Sequence, residues 1–140
     1  MKSKRNVYEN AVRLLPELNQ LIEGYSHMEE STDRYALNAE EEYIFTMLYG
    51  AVNHIDKAVA ILEQMERPVL AEGYLEKNRY GRYELNGYEL TSGHLIELWI
   101  EDNEYKEGGS WFSTRIEHNG EDYYAVGSKA LLEGLKARLK

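Results

Sequence analysis

The sequence predicts an α+β protein: an N-terminal antiparallel two-helix hairpin over residues 1–67, then a small antiparallel β-sheet or SH3-like barrel over residues 68–140. Three observations predict it. Apolar residues recur at helical spacing before Pro68. After Pro68 they alternate, the period of a strand with one buried face. Asn86-Gly87 and Asn119-Gly120 then supply hairpin turn signals between the alternating runs.

The first helix is expected from about Lys4 to Tyr25. Val7, Ala11, Leu14, Leu18, Leu21 and Tyr25 repeat in a heptad seam, which Leu15 and Ile22 widen. Pro16 lacks the N–H of a helix interior and clashes with the preceding turn. The seam continues in phase across it, so the expectation is one kinked helix, with its exit starting at Gly24. Ser26 to Leu37 reads as a loop with room for a short turn. The second helix is expected from Ala39 to Glu66. Asn38 is its N-cap, and Glu40, Glu41 and Glu42 occupy the first turn, where the helix dipole favours negative charge. Ile44, Leu48, Ala51, Ile55, Ala58, Leu62 and Met65 repeat the heptad, with Met47, Val52 and Val59 beside them. Both stripes are wider than closing a hairpin requires. The surplus has to pack on the second module, on another copy in a homodimer, or on a partner.

The strands are expected at 69–76, 80–85, 88–90, 94–101, 111–118, 122–126 and 135–139, with one helical turn over 128–132. Ile96, Leu98 and Ile100 share one face of the fourth strand, while Leu95, Glu97, Trp99 and Glu101 share the other. Short strands at this spacing favour a small curved sheet or barrel.

Composition narrows the chemistry. The chain has 140 residues, a net charge of −9, no Cys and 12 Tyr. Without Cys there is no disulfide, no thiolate nucleophile and no Cys-ligated zinc. No apolar run is long enough to span a bilayer, and the basic start is not followed by a signal-peptide core, so a cytoplasmic protein with no membrane partner is expected. His27, His54, His94 and His118 are scattered, and no metalloprotease motif, P-loop or nucleophile elbow occurs. No catalytic, cofactor or metal residue is therefore assigned, and an enzyme is not expected.

The candidate surfaces are of two kinds. Acidic clusters lie at Glu40, Glu41 and Glu42, and at Glu101, Asp102 and Glu104. An Arg and aromatic set comprises Arg79, Tyr80, Arg82, Tyr83, Trp99, Trp111 and Arg115. Antiparallel pairing of the two strands carrying them brings Trp99 and Trp111 together, with Arg115 placed to make a cation–π contact. Such a face suits a peptide groove or single-stranded nucleic acid. Charge disfavours the second: residues 1–67 hold 7 basic and 12 acidic side chains, and residues 68–140 hold 9 and 13.

The residues 81–85 (GRYEL), 88–93 (YELTSG), 96–99 (IELW), Trp111, 114–118 (TRIEH) and 123–124 (YY) resemble a domain-of-unknown-function family of small proteins from low-GC Gram-positive bacteria and their phages and mobile elements. The resemblance runs from about Leu75 to Arg138 and implies a mobile-element accessory protein with no catalytic residue to carry over. The resulting expectation is a non-enzymatic, acidic interaction protein that binds a protein partner. In its sharpest form it inhibits host nucleic-acid-targeting machinery, an anti-CRISPR-like role with a nuclease or RNA-guided effector as partner. The alternative is a nucleic-acid-binding accessory factor using the Arg and aromatic surface.

Overall fold

The computed structural model describes residues 2–101 and 107–140. The chain divides into two compact units, residues 1–67 and 68–140.

The first unit is a bent helix pair. Helix α1 spans Lys2–Arg13 and α2 spans Leu15–Ser31. Pro16 falls in the first turn of α2, where its missing N–H is tolerated. Leu14 keeps a right-handed helical conformation and donates three residues back to the Ala11 carbonyl, so the two pieces form the expected kink. The exit does not come at Gly24. Burial of Tyr25 and packing of Met28 against α3 (Ala39–Glu66) offset the ~1 kcal/mol that a helical Gly costs. A 3₁₀ turn at Arg34–Ala36 then leads into α3. Asn38 Oδ1 accepts from the Glu41 N–H at 2.9 Å, while the Glu41 carboxylate accepts from the Asn38 N–H at 3.0 Å, completing a capping box.

Tyr25 of the expected seam is buried, but most of the residues that close the hairpin lie one position on from that seam. Tyr8, Leu15, Ile22 and Tyr25 turn inward on one side, and Phe45, Val52 and Val59 on the other. Val7, Leu14, Leu21, Ile44 and Leu48, expected within the seam, are exposed. The reason is the width of the stripes: a helix apolar over more than a third of its circumference meets one neighbour with only part of it.

The second unit is β. Strands β1 (Ala71–Tyr74), β8 (Lys136–Leu139), β5 (Leu95–Ile100), β6 (Ser110–His118) and β7 (Tyr123–Ala125) form one antiparallel sheet in that order. β2 (Glu76–Lys77), β3 (Tyr83–Leu85) and β4 (Tyr88–Glu89) form a second. No barrel closes among the described residues: β1 and β7 are edges, and the small sheet covers one face of the large one. Tyr83 and Leu85 of the small sheet, Leu90 just beyond it, and Ile96, Leu98 and Ile116 of the large sheet share a single core. Each fully buried Leu or Ile there contributes ~2 kcal/mol.

Asn86 and Gly87, both at positive φ, turn β3 into β4 as expected of Asn-Gly. Asn119-Gly120 sits instead in a longer loop, where Asn119 Oδ1 accepts from the backbone N–H groups of Glu121 and Asp122. The expected helical turn at 128–132 is absent. A bend there carries Leu132 into the core.

Candidate aromatic and cationic interface

In an antiparallel sheet, directly opposed residues share a face. The register opposes Trp99 to Trp111, Glu97 to both Ser113 and Arg138, and Lys136 to Tyr74. All of these lie on the face turned away from the core of the β unit. The two indoles meet edge to face, with ring centroids 5.2 Å apart and planes at 70°.

Gly109 fixes this geometry. Its φ is +90°, and a Cβ there would stand 2.8 Å from the Trp99 ring. The residue entering β6 must therefore be Gly for two separate reasons.

The Trp pair carries cations from β8. The Arg138 guanidinium lies 4.2 Å from the Trp111 centroid, and Lys136 Nζ lies 5.4 Å from Trp99 and 5.8 Å from Trp111. Arg138 Nε donates to Glu97 Oε1 at 2.6 Å, and Lys140 Nζ stands 3.6 Å from the same oxygen. Glu97 is buried, at 7% exposure, so this charge depends on its partners. Lys136 lies 3.9 Å from Glu72 on β1. Beside the pair, a shallow cleft of about 330 Å³ is lined by Tyr74, Trp99, Glu101, Leu135 and Lys136.

The structure assembles only part of the expected Arg and aromatic set. Trp99 and Trp111 meet as expected, but Arg115 is not the cation beside them. It opposes Leu95 and pairs with Glu117 at 3.0 Å. Its place is taken by Arg138 and Lys136, because β8 inserts between β1 and β5. Alternation of Lys136, Arg138 and Lys140 at every second position is the signal that could have found them.

Arg79, Tyr80, Arg82 and Tyr83 belong to another site. Asn78 Oδ1 accepts from the Tyr80 and Arg82 N–H groups and shapes that turn. Arg79 stacks on exposed Tyr80, its carbon 4.9 Å from the ring centroid. Arg82 pairs with Glu89 at 2.8 Å. That bond leads the causes that lower the Glu89 pKa, and it also raises that of Arg82. Tyr83 is not surface at all: it is buried in the core against the opposite face of β5 from Trp99. Its hydroxyl pKa is raised, chiefly by burial.

Two of the acidic candidates serve local structure. Glu41 belongs to the capping box, and Glu42 is ion-paired with Arg34. Glu40 and Glu101 are exposed. Asp102 and Glu104 lie outside the described residues.

Among the described residues, no group of three His, Asp or Glu side chains could hold a metal, and no helix is long and apolar enough to cross a membrane. The Trp pair, its two cations and the cleft all fall within residues 73–139, where one family model matches. A DUF5348 domain, a domain of unknown function, spans those residues. The DUF5348 span covers nearly the same stretch as the resemblance read from the sequence. It takes in β2 to β8 and the second half of β1, and it excludes the helices. No curated protein and no solved structure matches the chain.

Proposed function

We propose that this is a non-enzymatic interaction protein whose DUF5348 domain engages a protein partner. The observation that carries the reading is the Trp99–Trp111 pair capped by Arg138 and Lys136 on the face away from the core. Paired indoles and an Arg are the side chains that dominate binding energy at protein interfaces. The adjoining cleft offers a place for one apolar side chain of the partner.

The net charge of −9 supports a narrower form of this reading. An acidic molecule is steered to basic surfaces, and nucleic-acid-targeting enzymes line their channels with basic residues. The narrower proposal is an inhibitor of such machinery, of anti-CRISPR type, acting in the cytoplasm of a host that carries the gene on a phage or other mobile element. The alternative, a single-stranded nucleic-acid accessory factor, draws its support from the two cations on the Trp pair.

One experiment separates these readings. The full chain, the Trp111→Ala variant and the Lys136→Glu variant are used as bait in host lysate at low and moderate salt, alongside a gel-shift titration with single-stranded oligonucleotide. The expected result is capture of a nucleic-acid-targeting enzyme that both substitutions abolish and moderate salt weakens, with no gel shift. Capture indifferent to both substitutions would sink the protein-partner reading. A gel shift lost in both variants would establish the alternative in its place.

A further inference from the structure

We propose that the exposed apolar side of the helical unit is covered by α3 of a second copy of this chain, packed antiparallel about a two-fold axis near His54 and Ile55. The inference is independent of the DUF5348 interface and rests on three observations.

The first is placement. Heptad positions beside the closing rows carry exposed large apolar side chains on both helices of the pair, Val7, Leu14 and Leu21 on one and Ile44 and Leu48 on the other, and Ile61 extends the exposed face of α3 further round the helix. In an antiparallel pair, equivalent heptad positions fall on the same side of the hairpin. Leu21 and Leu48 accordingly line one common groove. The hairpin thus has the shape of half a four-helix bundle. The face between Ile44 and Ile61 is roughly 25 Å long and about two helix diameters (~20 Å) wide. That is the same order as the ~800 Å² per partner of a standard stable interface.

The second observation selects a second copy over other occupants. An isologous contact requires that if residue i meets j, then j meets i. Antiparallel pairing of α3 with itself about its middle places Leu48 opposite Ile61, Ala51 opposite Ala58 and His54 opposite Ile55. Large meets large and small meets small at each step. Ala51 and Ala58 are exposed, and paired alanines at the crossing let two helices approach closely.

The third is charge. Two chains of net charge −9 would repel unless their contact were nearly free of carboxylates. Between Ile44 and Met65 the only acids are Asp56 and Glu63, both on the opposite side of the helix, and Glu63 lies 3.5 Å from Asn19 of α2. The residues bordering the face there include Lys57 and no acid.

The test is sedimentation of the full chain at tens of micromolar, with crosslinking. The chain contains no Cys, so introduced thiols report without background. The wild type is expected at twice the chain mass of 16.3 kDa. The A51E/A58E variant is expected at the single-chain mass with its helical circular dichroism retained. Under mild oxidation, a mixture of the A51C and A58C single variants is expected to give a covalent dimer faster than either alone, since the pairing brings position 51 to position 58 and not to itself. A strictly monomeric wild type overturns the proposal. So does a dimer that A51E/A58E leaves intact, or thiol crosslinking with no preference for the mixture. Loss of partner capture in A51E/A58E together with a monomeric wild type would assign the face to a different protein, and overturns it as well.

Discussion

Single side chains in the β unit are held by local electrostatics that respond to pH. Lys77 Nζ lies 2.8 Å from Asp122 Oδ2, and the Tyr123 N–H donates to Asp122 Oδ1 at 2.7 Å. The bond from Lys77, and after it the one from Tyr123, lower the Asp122 pKa, while the same ion pair raises that of Lys77. A carboxylate whose pKa is lower folded than unfolded contributes stability above its unfolded value, and loses it as pH falls through the folded one. The β unit is therefore expected to lose thermal stability as pH drops below about 4. Asp122→Asn should flatten part of that decline, leaving the part due to Glu89, whose pKa is also lowered. Lys77 works in the other direction, its contribution disappearing only in strong alkali. Melting temperatures from pH 7 to pH 3 check this, and identical declines in wild type and Asp122→Asn would contradict it. Other single-residue facts lay outside sequence reasoning. That Gly109 abuts the Trp99 ring is invisible without the fold, because only the hairpin path brings that backbone under the indole.

The elements differ in how legible they were. Helix α3 was readable to its ends, since Asn38, Glu41 and Pro68 are local stop and start signals whose physics involves neighbouring residues alone. The capping box should be measurable. Asn38→Ala removes one acceptor for the orphaned N–H groups and is expected to cost ~1 kcal/mol. For a unit of this size that lowers the melting temperature of the helical signal by roughly 4–8 °C, and Asn38→Asp should restore most of it. Helix α2 was less legible at its C-terminus. Gly24 weakens a helix locally, yet tertiary burial of Tyr25 against Phe45 carries it on to Ser31. Apart from Tyr25, the buried facing rows lie one residue on from the heptad seam, because a wide stripe does not say which part of it meets the neighbour.

At the scale of the whole molecule, residues 68–140 enclose a core of their own, from Leu75 to Leu139. A fragment of those residues is expected to fold alone, with β-type circular dichroism and a cooperative urea transition. A chain so short buries only about 60% of its unfolded surface, so its stability should be modest. A non-cooperative transition would count against an autonomous DUF5348 domain. Period, turn chemistry and capping are local properties, and for that reason the sequence by itself determined the α+β class, most of the strands, the extent of α3 and the meeting of Trp99 with Trp111 across one hairpin. Strand order is not local. Only the tertiary structure decided that β8 lies between β1 and β5, and with it that Arg138 and Lys136, not Arg115, attend the two indoles. Tyr83 went to the core for the same reason. The small sheet had to cover the large one, and alternation along a strand tells which residues share a face without telling what that face will meet.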